Sequence, residues 1–393
     1  MTIEEKLHDA MATVASHVEP PDSAWDAISA DVARRTRTTG ALGRSITILL
    51  AFVLSGGGFL GLWLVFHDGN HVPPPTVRST APSPTVSATI DVGGPPRAIG
   101  AGPDGVWVVV NGQSGAPLLV RIDPSTDSVV RRIMLPGFDA TYLVAAEGSV
   151  WVTDVELRGT RLLRIDAETG STIASIPVDG EARAAGAGAV WAIAAVHRGR
   201  EGSILKIDPG TNRVVATIDL PDHLVPTGVA IDGNTVWALG SRRITHENPV
   251  GTSKLVQIDA QKDQVVAVIA VDASADLLAA GGGSVWLEAP DSTVIHVDGT
   301  TGSVEKSPSR IPGGFRPFAA TSEGVWFIGS KIPDVNGRGM TLVSHLDPKT
   351  MTVDGSVPIP EGINGAVPPS ATIDPAGVIW VSGSNSDVTR VNP

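Results

Sequence analysis

The chain is poor in several residue types, and each shortage removes a class of function. Its 393 residues include no cysteine, one tyrosine and only 4% aromatic residues, and its formal net charge at pH 7 is -12. The absence of cysteine excludes disulfides, thiolate metal ligands and a cysteine nucleophile. An acidic chain lacks the basic surface that contacts with phosphates require, so nucleic acid is not expected as a partner.

The residues that are abundant, 44 glycines and 30 prolines among many valines, favour short strands joined by tight turns. One short strand, first seen as Gly105-Val106-Trp107, returns six more times. The tryptophans that mark it lie 40 to 54 positions apart: Trp107, Trp151, Trp191, Trp237, Trp286, Trp326 and Trp380. A repeat of this length indicates an array or a propeller, with the tryptophan packed between neighbouring units.

Each repeat reads as four strands, for example residues 229–231, 236–239, 255–259 and 265–269. The last repeat stops at Pro393 without a fourth strand. Residues 87–92, before the first repeat, match the fourth strand at residues 215–220 with four identities in a row. The sequence therefore predicts an all-β fold, a seven-bladed propeller over residues 86–393 that its N-terminal strand closes, which hides two sheet edges.

Three segments precede this domain. Residues 1–44 are predicted to form two short cytoplasmic helices, as a partly ordered tail or as a docking site for a partner. Residues 45–66 contain no charged side chain and are long enough to cross a bilayer as one helix. Residues 67–85 form a linker rich in proline, serine and threonine.

The orientation of the predicted transmembrane helix follows from its flanks. Four arginines lie within residues 34–44, just before the span, whereas Asp68 follows it. This bias predicts a single-pass signal anchor with its N-terminus in the cytoplasm and the propeller outside the cell membrane. The lipid bilayer is thus one partner, and Gly57 with Gly61 offers a weak homodimer face.

Residues 205–218, followed by Pro226-Thr227-Gly228 and Val236-Trp237, resemble YVTN-type repeat propellers and the related virginiamycin B (streptogramin) lyase-like propellers. The resemblance covers residues 86–393 and implies the fold. In the lyases it implies a metal-assisted elimination that uses histidines and a glutamate beside Mg at the propeller mouth. The matching positions here are Arg97, Tyr142, Arg183, Thr227, Asp276, Pro317 and Pro369. None is His or Glu, so no catalytic residue, metal site or cofactor is predicted.

A binding site is predicted where the mouth meets the loops between the second and third strands, which carry many arginines. The candidate ligand-binding residues are Arg97, Tyr142, Arg183, Thr227, Asp276 and Arg316 at the mouth, with Arg198, Arg242, Arg243 and His246 on the loops. One hypothesis is that they capture an anionic ligand, either an envelope polymer or the acidic surface of a protein. The other is that these loops are simply solvated. The third-strand column that holds His296 and His345 is interpreted as a structural surface position.

The sequence therefore favours a membrane-tethered, extracytoplasmic propeller of a bacterium that acts as a binding or scaffold module. The alternative is a metal-dependent lyase or hydrolase that acts on a small molecule. Enzymatic activity is not decided by the sequence, since a fold of this kind supports many functions.

Overall fold

Four-stranded antiparallel sheets, repeated seven times, account for most of the described chain. This computed structural model describes residues 46–49, 63–66, 83–112, 116–135, 140–156, 159–194, 202–242, 252–271, 274–275, 277–289, 291–307, 311, 316–331, 340–359, 370–383 and 386–393. The chain divides into two compact units, Met1–Arg78 and Ser79–Pro393.

In the first unit, strand β1 (Ile46–Leu49) pairs antiparallel with strand β2 (Trp63–Phe66). These strands coincide with the two ends of the predicted transmembrane segment. Its centre at residues 50–62, with Gly57 and Gly61, lies outside the described residues, as do the predicted cytoplasmic helices. Within the described residues no helix has the length and apolar character needed to cross a membrane. The anchor and the dimer face remain predictions.

The second unit contains seven sheets, which we number as blades. Blade 1 consists of β4 (Pro96–Gly102), β5 (Gly105–Asn111), β6 (Pro117–Asp123) and β7 (Ser128–Met134), and blade 2 of β8 (Ala140–Ala146), β9 (Ser149–Glu156), β10 (Gly159–Asp166) and β11 (Thr172–Pro177). Blade 3 consists of β12 (Gly180–Gly186), β13 (Ala189–Ala194), β14 (Ser203–Asp208) and β15 (Arg213–Asp219). Blade 4 follows a short 3-10 turn (Pro221–His223) and consists of β16 (Leu224–Asp232), β17 (Thr235–Arg242), β18 (Ser253–Asp259) and β19 (Gln264–Ala270).

The remaining blades have the same order. Blade 5 consists of β20 (Leu277–Gly281), β21 (Ser284–Glu288), β22 (Val294–Asp298) and β23 (Val304–Lys306). Blade 6 consists of β24 (Arg316–Thr321), β25 (Gly324–Lys331), β26 (Met340–Asp347) and β27 (Thr352–Ile359). Blade 7 consists of β28 (Ala371–Ile373), β29 (Ile379–Ser382), β30 (Asp387–Asn392) and the N-terminal strand β3 (Thr85–Asp91).

The N-terminal strand closes the ring as the sequence predicts. β3 pairs antiparallel with β30, from Thr85 opposite Asn392 to Asp91 opposite Asp387. Each innermost strand contacts the innermost strand of the next blade, and β28 of blade 7 contacts β4 of blade 1. The prediction of a seven-bladed propeller closed by its N-terminal strand is therefore confirmed.

The repeated tryptophans are packed between blades and form no outward aromatic surface. All seven are buried, with exposed fractions of 0 to 8%. Trp107 of blade 1 lies in one apolar cluster with Leu143 and Val150 of blade 2, and Trp151 of blade 2 lies in the next cluster with Val190 of blade 3. Burial of side chains this large stabilises the contact between blades.

The third-strand column does more than cover the surface, because its cations join successive blades. Arg164 lies over Trp151 of its own blade, with 4.9 Å from its guanidinium carbon to the ring centre, and donates to Asn212 of blade 3. Arg390 lies over Trp380 and donates to Asp127 of blade 1 at 2.8 Å. These contacts combine cation–π attraction with charge-assisted hydrogen bonds. The column is thus an inter-blade contact, and the interpretation as a plain surface position is incomplete.

Blades 5 and 6 carry histidine in this column. His296 and His345 lie against Trp286 and Trp326, with ring centres 4.4 and 4.7 Å apart. His296 also makes a 2.9 Å hydrogen bond with the Ser284 hydroxyl, and burial lowers its pKa. Arg164 makes the equivalent contact with Ser149 in blade 2. Because the same pairing recurs in the repeat, the serine and histidine form a packing contact and not a catalytic pair.

Candidate ligand-binding site

The mouth of the central channel is formed where the seven innermost strands begin. A common register for these strands comes from the residue that lies opposite each tryptophan, such as Gly100 opposite Trp107 and Ala184 opposite Trp191. Three positions before that residue stand Arg97, Thr141, Glu181, Thr227 and Arg316, which are the equivalent mouth positions among the described residues. In the sequence the same count gives Asp276 and Pro369 for the other two blades.

Three of the positions equated from the sequence are wrong by one or two residues. Thr141 takes the place given to Tyr142, Glu181 that of Arg183, and Arg316 that of Pro317. At Arg183 the physical cause is the place of the β-bulge, which in blade 3 lies two residues nearer the tryptophan than the bulges at Arg97 and Thr141. The bulge does not explain the offset at Tyr142, because blades 1 and 2 have it at the same position. The distance to the tryptophan in the sequence could have identified the equivalent positions, because in six of the seven repeats they lie ten positions before it.

Two of the predicted residues, Tyr142 and Arg183, meet between blades 2 and 3. The guanidinium carbon of Arg183 lies 3.7 Å from the ring centre of Tyr142, and its Nη2 donates to Glu181 Oε2 at 2.6 Å. The side chains of Arg183 and Glu181 are 27% and 37% exposed. A donor and an acceptor are therefore held side by side at the mouth, and the tyrosine fixes the plane of the guanidinium.

The same sector contains polar atoms that protein groups leave unsatisfied. Within the described part of the chain, the hydroxyl of Thr141 and the Nε of Arg183 are buried and have no hydrogen-bond partner. Nearby, the buried Thr153 hydroxyl accepts a hydrogen bond from the Ala182 backbone at 3.1 Å. A buried polar group without a partner costs roughly 1–3 kcal/mol. Two of the five such atoms among the described residues lie in this sector, the others being Trp151 Nε1, Trp286 Nε1 and Arg390 Nε.

Blade 2 also departs from the repeat at the end of its second strand. The residue three positions after the tryptophan is small or apolar in the other six blades: Val110, Ala194, Gly240, Ala289, Gly329 and Gly383. In blade 2 it is Asp154, which is 1% exposed and pairs with Arg161 at 2.9 Å. Asp154 and Arg161 lie opposite each other in β9 and β10, so strand pairing continues beyond the buried core of this blade.

The other predicted residues differ in their surroundings. Arg97 is half-buried, and the Thr227 hydroxyl donates to the Leu239 carbonyl at 3.3 Å. Arg316 is exposed and makes no hydrogen bond or ion pair within the described residues. Arg242 ends strand β17, opposite Leu224. The rest lie outside the described residues: Asp276, Arg198, Arg243 and His246.

The mouth therefore mixes charges and is not a plain cationic ring. Arg183 is compensated by Glu181, whereas Arg316 is available to an incoming group. The described residues contain no group of three or more His, Asp or Glu side chains that could hold a metal ion. The corrected register places one glutamate at the mouth, Glu181, but it is already paired with Arg183, and no mouth position is His.

Comparison with known proteins agrees on the architecture. No family model matches the sequence, and no curated protein does. Among solved structures, a hydrazine synthase of Kuenenia stuttgartiensis is similar, with a TM-score of 0.55, 15% identity and coverage of 76% of this chain and 95% of that chain. BamB from Moraxella catarrhalis gives a TM-score of 0.49 and 13% identity over 76% of this chain and 83% of its own. At these identities the hydrazine synthase likeness shows the propeller fold alone, and the BamB likeness carries no argument.

Proposed function

We propose that this chain is a membrane-tethered, extracytoplasmic binding or scaffold module whose propeller holds a ligand or envelope component at the mouth between blades 2 and 3. The observation that carries the proposal is the concentration of polar side chains in this sector, including the unsatisfied Thr141 hydroxyl and Arg183 Nε. The polar side chains of this sector are not required for packing of the blades, because most blades lack them. A ligand can reach the partly exposed ends of Arg183 and Glu181, whose side chains are 27% and 37% exposed.

The single tyrosine of the chain provides a direct test. Full-length protein labelled with 3-fluorotyrosine gives one fluorine NMR signal, from Tyr142 beneath the Arg183 guanidinium. We expect a solubilised envelope extract to shift this signal, because a ligand at the mouth changes the ring's surroundings. An unshifted signal at saturating extract would refute the proposed site. Turnover of a cyclic ester by the same protein, dependent on added Mg, would favour the lyase alternative.

Retention on envelope fractions tests the arginines of the mouth. Replacement of Arg97, Arg183 and Arg316 by glutamine should reduce retention. Arg132 and Arg213 provide the matched control, since both are exposed on fourth strands away from the mouth. Equal retention of the mouth variant, the control variant and the parent chain would contradict the proposal.

The absence of cysteine makes the proposed topology testable with single substitutions. A membrane-impermeant maleimide should label Arg213→Cys in intact cells and Ser16→Cys only after permeabilisation. This outcome is expected because arginines precede the uncharged segment and favour the cytoplasmic side. The reverse labelling pattern, or equal labelling of both variants in intact cells, would exclude the proposed orientation.

A further inference from the structure

The described aromatic side chains give a first indication of what the mouth can bind. Sugars and bases are commonly held by stacking on an open aromatic face. The propeller tryptophans are buried between blades, and one face of Tyr142 is covered by the Arg183 guanidinium. Hydrogen bonds and charge therefore have to dominate recognition in this sector.

The polar groups of the sector present a donor and an acceptor together. Arg183 keeps guanidinium hydrogens beyond the one given to Glu181 Oε2, and Glu181 Oε1 accepts no hydrogen bond within the described residues. The hydroxyl of the half-buried Tyr142 can donate or accept, whereas the Thr141 hydroxyl is buried beneath the surface. A ligand that pairs with these donors and acceptors needs an N–H beside a C=O. An extended peptide backbone repeats this arrangement along its length.

Charge restricts the peptide further. Arg316 is exposed and has no acidic partner within the described residues, whereas Arg183 is neutralised by a carboxylate at 2.6 Å. A free phosphate drawn to Arg183 would meet the repulsion of Glu181. An extended peptide avoids this conflict if it crosses the mouth, because its N–H can face Glu181 of blade 3 while an acidic side chain further along it pairs with Arg316 of blade 6.

We infer that the mouth takes an extended acidic peptide segment of a protein partner, with its backbone on Glu181 and Arg183 and a carboxylate on Arg316. This inference rests on the proposed function and names the class of ligand for the same site. The partner's acidic residues increase the affinity by pairing with Arg316. The hydrogen bonds of its backbone determine which part of the segment lies at the mouth.

The test uses the full-length chain and a short blocked peptide of Gly, Ser, Asp and Glu, compared with the same peptide carrying Asn and Gln. Binding is followed by fluorescence anisotropy and by the fluorine signal of labelled Tyr142. The acidic peptide should bind about tenfold more tightly than the neutral one and shift the signal. Arg316→Gln should remove most of this preference, and Arg213→Gln should leave it unchanged.

The outcomes separate the ligand class from the site. Equal affinity for both peptides, or an unchanged preference in Arg316→Gln, overturns the inference. A shift of the Tyr142 signal with polygalacturonate, inorganic phosphate or envelope extract, but not with the acidic peptide, also overturns it and leaves the proposed site standing. No shift with any of these probes overturns both.

Discussion

Closure of the ring by the N-terminal strand can be tested with two equivalent isoleucines. Ile90 of β3 lies opposite Val388 in blade 7, and Ile218 of β15 lies opposite Ile204 in blade 3. Each follows the same Ala-Thr pair in the sequence, and their exposed fractions are 7% and 6%. Each also belongs to an apolar cluster shared with the next blade. The two sites therefore differ mainly in where their strand lies along the chain.

Truncation of either isoleucine to alanine should be costly to a similar extent. Removing a buried isoleucine beyond its Cβ costs about 2–5 kcal/mol, so we expect about 3 kcal/mol at each site. For a unit of roughly 300 residues, an unfolding entropy of about 2.1 cal/mol/K per residue converts this loss to a fall in Tm of about 5 °C. Calorimetry and urea unfolding of Ile90→Ala, Ile218→Ala and the parent chain measure both quantities.

Comparing the stability losses of Ile90→Ala and Ile218→Ala distinguishes a closing strand from a peripheral one. If β3 were a peripheral segment, Ile90→Ala would behave as a surface substitution, within about 0.5 kcal/mol of the parent chain. A neutral Ile90→Ala beside a costly Ile218→Ala would therefore refute closure. Deletion of residues 87–92 should lower Tm further, because it also removes the pairing with β30 and exposes an edge.

Other contacts give predictions of the same kind. Arg390→Gln should cost about 1–2 kcal/mol in urea unfolding, because it removes a partly exposed contact to Asp127 that joins blade 7 to blade 1; an unchanged midpoint would contradict this. Burial lowers the pKa of His296 below its usual 6.5, so the unfolded chain takes up this proton first, and stability should fall as pH decreases from about 7.5 to about 5. His296→Gln should flatten that dependence in urea midpoints measured across this range, and an equal slope in both proteins would show that the group does not matter. Asp154→Ala should cost about 2–3 kcal/mol in urea unfolding because it removes a buried carboxylate that pairs with Arg161, and a loss under 0.5 kcal/mol would contradict a stabilising role for this contact.

The sequence predicts the blades well because each blade repeats the same pattern of burial. Trp107 and its six counterparts mark the second strand, and the match between residues 87–92 and 215–220 places the closing strand in blade 7. Strand pairing and burial are common to every copy, so an ambiguous strand assignment in one copy can be resolved from the other copies. The anchor has no such repetition, and it stays a prediction.

The mouth could be predicted only in part because bulges interrupt the pattern there. Arg97, Thr141, Arg183 and Thr227 each occupy the unpaired position of a bulge, but the bulge in blade 3 lies two residues nearer its tryptophan than in the other three. Arg183 therefore shares the bulge position of Arg97, but Glu181 shares its distance from the tryptophan. The ion pair of Arg183 with its near neighbour Glu181 depends on this local geometry, and no periodicity in the sequence predicts it.

The departure of blade 2 from the repeat connects the fold to the proposed site. An ion pair with a buried carboxylate, such as that of Asp154 with the partly exposed Arg161, adds little net stability, since desolvation offsets the attraction between the charges. Six blades fold with a small or apolar residue in the place of Asp154, so the architecture does not require it. On the other face of the same blade, Tyr142 and Thr153 contact blade 3 through Arg183 and Ala182. Polar side chains thus occupy both faces of one blade at its mouth end, which is the place where a ligand would approach. The repeat accounts for the stability of the propeller, and the site that we propose lies where blade 2 departs from the repeat and meets Glu181 and Arg183 of blade 3.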